Sequence, residues 1–239
     1  MMFLFSGEAM GLDTALKIRY LKCLNRLQGK DLLAAVVFFG AASTIRGKKP
    51  STLLAFSRRR KNVFSLWHCY KQEICKKFNL DYYELKNTAE TVTVLFYKQK
   101  ILERVLNKKN NLCFLNSLGY QDAVNLEAKL GLLKNKFAST CPHEVGIFLG
   151  FPVEDVIGFI MNKGKNYLLA GHWKVYLNRE RAEMLFEIYD QARIEAAGVV
   201  IRCVEAAYCN NALAAEAVLG GWRDGIVKKV FINEKDGLM

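Results

Sequence analysis

Hydrophobic positions near the start of this chain recur at helical spacing. Between residues 13 and 28, Leu16, Tyr20, Cys23, Leu24 and Leu27 fall at i, i+4, i+7, i+8 and i+11. That is the stripe of an amphipathic helix, with Asp13 as its N-cap and Gly29 as its stop. Residues 32–42 are apolar without interruption, so period alone does not separate a buried helix from a buried strand. A basic turn, Ser43-Thr-Ile-Arg-Gly-Lys-Lys-Pro50, leads to a short strand at 53–56. Over 57–78, Val63, Leu66, Trp67, Tyr70, Ile74 and Phe78 line a second amphipathic helix. Arg58, Arg59, Arg60 and Lys61 crowd its first turn, where cations oppose the helix dipole. Two explanations stand: the cluster binds something anionic, or it is a solvated group just ahead of the helix.

Residues 91–97, Thr-Val-Thr-Val-Leu-Phe-Tyr, form the clearest strand by β-branched and aromatic content. A helix at 98–106 follows almost without a loop, and two short helices at 112–118 and 121–133 flank Gly119-Tyr120. Residues 145–149 are apolar except for Gly146, which predicts a strand in the middle of a sheet, covered on both faces. Pro152 opens a helix with Glu154 and Asp155 in its first turn, a stripe of Val153, Val156, Ile157 and Ile160, and a stop at Lys163-Gly164. At 171–177 the pattern alternates. Trp173, Val175 and Leu177 point one way, and His172, Lys174 and Tyr176 the other. Asn178 caps a helix reaching at least Arg193. The rest, 194–239, is Ala-rich and helical as far as Gly220-Gly221, with a strand suggested at 226–232.

Strands interleaved with helices predict an α/β class, with a mixed α+β arrangement as the alternative. The expected architecture is a central mixed sheet of about five strands flanked by helices, in a single domain over 1–193. An Ala-rich helical C-terminal extension over 194–239 packs on that domain. A chain of 239 residues, 51% of them apolar, can bury such a core.

Composition changes this picture in three places. The longest apolar run, 32–45, is too short for the 18–20 residues a membrane helix needs, and the first residues lack the basic and apolar regions of a secretory signal. Seven scattered cysteines with no CxxC pair fit reduced thiols rather than a disulfide framework, which places the chain in the cytoplasm. Charge is the third. Residues 1–109 hold 21 Lys/Arg against 8 Asp/Glu and residues 110–239 hold 14 against 15, so the net +12 belongs to the first half. Such asymmetry points to an anionic partner: an acidic protein, a phosphate-bearing ligand or nucleic acid.

Candidate chemistry concentrates at 141–176. His143 and Glu144 precede the expected central strand, near a strand end where α/β sites lie, and an imidazole beside a carboxylate can act as general base. A zinc helix would need a second histidine where Ile147 stands, so that reading is rejected. Cys141, His143 and His172 have no spacing that argues for a metal, and Cys141 as a nucleophile needs a base whose proximity sequence does not show. Folding alone would use His143 and Glu144 to pin a turn, and a polar face of Lys174 and Tyr176 is ordinarily just solvated. If they share a cleft, the four form a candidate catalytic group. Arg46, Lys48 and Lys49 are a rival anion-binding group, together with Arg58, Arg59 and Arg60; the Walker pattern is absent around Gly47-Lys48-Lys49-Pro50. Trp67, Tyr70, Tyr82 and Tyr83 interleave with the basic half as nucleic-acid stacking surfaces do, although Trp67 and Tyr70 already belong to a helix stripe. No motif specifies a cofactor.

The run from His143-Glu144-Val-Gly-Ile-Phe-Leu-Gly-Phe-Pro-Val-Glu-Asp-Val-Ile-Gly-Phe-Ile to Gly171-His-Trp-Lys-Val-Tyr resembles the bacterial domain-of-unknown-function family 3793. Gly47-Lys48-Lys49-Pro50, Leu95-Phe96-Tyr97, Phe114-Leu115 and Gly119-Tyr120 are similar to its pattern too, and the likeness covers about residues 10–190. The family carries no activity that would transfer. The resemblance implies occurrence beside flavodoxin and iron-uptake proteins, and flavodoxins are acidic. The leading expectation is therefore a binding or accessory protein whose basic half engages an acidic redox protein or a phosphate-bearing ligand. An enzyme centred on His143, Glu144, Lys174 and Tyr176 is the alternative, and nucleic-acid binding the third.

Overall fold

The computed structural model describes residues 13–59 and 61–209. Its fold is α+β, ordered α1(Thr14–Arg26), α2(Gly29–Gly40), α3(Ala42–Ile45), β1(Ser51–Ser57), α4(Val63–Phe78), β2(Asp81–Asn87), β3(Thr91–Tyr97), α5(Gln99–Leu106), α6(Lys109–Leu115), a π-type turn at Asn116–Tyr120, α7(Leu126–Phe137), α8(Val145–Phe148), α9(Val153–Met161), β4(Leu169–Ala170), β5(Lys174–Val175) and α10(Arg179–Cys209). Asp13 caps α1 as its sequence predicts, its side chain accepting from the Leu16 amide at 2.8 Å.

The sheet is not the five-stranded one expected. β1, β3 and β2 form a three-stranded antiparallel sheet in that order, and β4 and β5 form a separate two-residue hairpin. β3 is central, and its alternation divides the interior. Val92, Val94 and Phe96 join a core with Phe56, Trp67, Ile74, Phe38 and the middle of α10, while Leu95 and Tyr97 join a second with Leu102, Leu115, Tyr120, Leu130, Ile147 and Phe148. A strand covered on both faces loses the polar half of its alternation, which is why this one was so legible.

Three local expectations need correction. Residues 145–149 are not a strand. They make one helical turn, α8, held by Ile147 N–H to Glu144 O at 2.9 Å and Leu149 N–H to Val145 O at 2.9 Å. A short apolar run has the same pattern in a buried helix and a buried strand, and here Gly150 at φ +81° turns the chain away immediately afterwards. At 171–177 only Lys174 and Val175 are paired as strand, because Gly171 packs directly under the Phe186 ring and the chain bends there. Finally, β2 was not anticipated. Asp-Tyr-Tyr-Glu-Leu-Lys-Asn lacks period-2 alternation, and the register shift between Glu84 and Lys86 shows why.

The run at 32–42 is resolved as helix α2, buried through Leu33, Ala34, Ala35, Val37 and Phe38. α10 runs unbroken across residue 193. Its small residues Ala192, Ala196 and Ala197 bring it against the core, and Val200 and Val204 continue the same face. The suggested strand at 226–232 and the glycine stop at 220–221 lie outside the described residues. Among the described residues, no helix is long and apolar enough to cross a membrane.

Candidate functional site

Of the candidate catalytic group, His143, Lys174 and Tyr176 border α9 while Glu144 does not, and the four do not converge. Glu144 is buried, and its carboxylate accepts from Lys136 Nζ at 2.7 Å and from the Tyr120 hydroxyl at 3.4 Å. It anchors the α8 turn to α7. His143 is exposed, its ring centre 5.3 Å from that of Phe159. Lys174 approaches the same Phe159 ring at 5.9 Å, lies 4.8 Å from the Tyr167 ring and donates to Gly164 O at 2.6 Å. Tyr176 packs over Gly158, with its hydroxyl buried and without a hydrogen-bond partner among the described residues. His143 and Lys174 thus share an aromatic neighbour, while Glu144 faces Lys136 and Tyr120.

The hairpin carrying Lys174 and Tyr176 is held by Asp155 of α9. That buried carboxylate accepts from Trp173 Nε1 at 2.7 Å, Tyr176 N–H at 2.7 Å and Leu177 N–H at 3.2 Å. The sequence placed Asp155 in a first helical turn for the dipole; its larger part is to collect three donors from the hairpin.

The candidate anion-binding residues separate into two groups. Arg46, Lys48 and Lys49 lie on the turn before β1, and Arg58 and Arg59 on the turn after it; Arg60 is outside the described residues. Seven extended residues intervene, about 20 Å of strand. α4 begins only at Val63, so Arg58, Arg59 and Lys61 precede the helix rather than crowd its first turn. On the first turn Arg46 pairs with Glu195. Lys48 is exposed, and with Arg46, Glu187, Gln191 and Glu195 it borders an open groove of about 400 Å³. Two carboxylates there offset the two cations. Trp67 is fully buried, donating to Glu84 Oε1 at 2.9 Å, and has no face to offer a nucleotide base.

Lys49 differs from its neighbours. Its ammonium lies 5.4 Å from the Phe151 ring centre and 5.6 Å from that of Tyr189, and burial, reinforced by Arg193, brings its pKa down to about 7. Beside it, His172 Nε2–H donates to Asp190 Oδ1 at 3.0 Å, since an ionised carboxylate can only accept. Burial holds the His172 imidazole below its ordinary pKa although Asp190 pulls the other way. The His172 ring rests 5.3 Å from both Phe186 and Tyr189, and Trp173 closes against Phe186 at 4.6 Å. The turn is pinned in place: Ser43 Oγ donates to Tyr189 O at 3.3 Å, and Pro50 fills the space where Gly150 would carry a side chain.

The structure therefore assembles a group that sequence reading did not: Lys49, His172, Asp190 and Arg193 around Tyr189. A signal was present. Ala182, Phe186, Tyr189, Ala196, Val200 and Val204 form the buried stripe of α10, and Arg193 occupies one of its positions.

These features define an α+β protein with an antiparallel three-strand sheet between two cores and a polar cluster where α10 meets the turn before β1. The chain belongs to the family described as protein of unknown function (DUF3793), whose profile matches residues 37–207. That span begins in α2 and ends within α10, past residue 193. Neither the curated proteins nor the solved structures yield a match.

Proposed function

We propose that this is a binding or accessory protein that docks an acidic protein through the basic surface at the end of α1. One observation carries the reading. Lys61 Nζ donates to Leu24 O at 2.8 Å, so the turn bearing exposed Arg58 and Arg59 is tied to the helix end bearing exposed Lys22 and Arg26. Cations distant in sequence become one surface. Ile18 and Leu21, 48% and 49% exposed on α1, give it an apolar component. The excess of cations in residues 1–109 supports the same conclusion, and association driven by it is fast and sensitive to salt. A flavodoxin, acidic and redox-active, is the partner class that the family resemblance suggests.

Titrating the full chain with a flavodoxin between about 50 and 300 mM salt tests this. Affinity is expected to fall steadily with salt, and the double variant Arg58→Glu/Arg59→Glu to weaken it about tenfold or more, while Lys163→Glu at the end of α9 changes little. Salt-independent affinity overturns the proposal. So does tighter binding to a short duplex DNA at matched salt.

A further inference from the structure

The apolar stripe of α9 is covered only at its start. Val153 and Val156 are buried, but Ile157, Ile160 and Met161, at i, i+3 and i+4 on one face of the helix, lie open. The hairpin alongside extends this surface. Exposed Leu177 lines a cavity of about 130 Å³ together with Glu154 of α9. Exposed Tyr167 and Leu168 lie toward the other end, where Lys174 joins the Tyr167 ring to Gly164 O. These six apolar side chains are each 38% to 76% exposed. Together they show roughly 600 Å², at the upper end of what a monomer presents in one patch. A helix with apolar residues on its inner and outer sides is one that becomes covered on both.

We propose that this face is the interface of a homodimer, its occupant a second copy of the chain. Charge selects the occupant. Glu154 stands exposed in the first turn of α9, and Lys163 and Lys165 stand exposed just past its end. Among the described residues none of the three is in an ion pair. A two-fold axis passing between Ile157 and Ile160 lays the two α9 helices antiparallel. Ile157 of one copy then meets Ile160 of the other, and Glu154 of one meets Lys163 of the other, twice over. The face is thus complementary to itself in charge as well as in apolar residues, and the opposed helix dipoles add to the attraction. A partner of one sign would match one end of α9 and be repelled at the other. The six side chains supply about three quarters of the ~800 Å² a side that a stable interface buries, and the charged rim supplies the rest. The proposal does not rest on the basic surface at α1.

Sedimentation equilibrium of the full chain over a wide concentration series decides the matter. The mass is expected to rise from that of one chain to that of two, and no further. Ile157→Glu and Ile160→Glu, at positions already open to solvent in the monomer, should each weaken association about tenfold or more. Glu154→Lys, which sets like charges against Lys163 of the other copy at both ends, should weaken it about fivefold. The double variant Glu154→Lys/Lys163→Glu should bring association back, which only a face that pairs with itself predicts. The proposal is overturned if the wild-type chain stays monomeric throughout, the result expected if residues 1–12, residues 210–239 or an unlike protein cover the face. It is equally overturned by a dimer that withstands Ile157→Glu, or by a double variant no better than Glu154→Lys. The wild-type mass alone decides the first outcome, so a variant that fails to fold leaves the test intact.

Discussion

Replacing Asp155 by alanine should cost this protein more stability than any other single carboxylate change in the α9–hairpin region. The side chain is 3% exposed and collects the Trp173 indole N–H and the backbone N–H groups of Tyr176 and Leu177. Truncation leaves three donors without an acceptor, at about 1–3 kcal/mol for each one that water cannot reach. Leu177 is 67% exposed, so its amide is rescued by solvent, and a total of about 3–5 kcal/mol remains. For a chain of this size that corresponds to a fall in melting temperature of roughly 10 °C. Urea unfolding followed by far-ultraviolet circular dichroism gives the free energy. A double-mutant cycle with Trp173→Phe, which keeps the ring and removes the N–H, should give a coupling of about 1–2 kcal/mol between the two sites. A loss below about 1 kcal/mol, or a coupling indistinguishable from zero, would refute the argument that Asp155 holds the hairpin.

Three other perturbations test neighbouring parts of the reasoning. Lys49 has a folded pKa lowered from 10.5 to about 7, so the unfolded chain binds more protons between those values; stability rises with pH across that window, while the burial penalty is present in full below it. Lys49→Met should stabilise the protein at pH 7 and flatten this rise in urea midpoints measured from pH 7 to 10, the groups facing Lys49 being Arg193, His172 with Asp190, and Tyr189. Glu144→Gln should cost about 1–3 kcal/mol in the same unfolding assay, through the weakened Lys136 and Tyr120 contacts. Gly150→Ala should cost about 2–4 kcal/mol, since φ is +81° and the new Cβ would stand 2.6 Å from Pro50 Cγ; a cost below about 0.5 kcal/mol would mean that the Pro50–Gly150 contact does not fix the turn carrying Lys49.

Side-chain pattern along the chain was enough to determine α1, α4, α9 and the start of α10, because each has a 3.6-residue apolar stripe with a recognisable cap or stop. It also determined β3, whose β-branched residues have no good helical alternative. The family and the concentration of positive charge before residue 110 were legible in the same way. Tertiary structure decided what periodicity cannot carry. Burial on every side made 145–149 a helical turn and 32–42 a helix, since both states present the same apolar run. Hydrogen bonding across the sheet created β2 from a segment without alternation. The polar groups were the least legible of all, because a charge's partner is set by distance in space. Glu144 and His143 are adjacent in sequence, yet Glu144 turns to Lys136 and Tyr120. Lys49 and Tyr189 are separated by most of the chain, yet the Lys49 ammonium lies 5.6 Å from the Tyr189 ring centre, where the turn before β1 packs against α10.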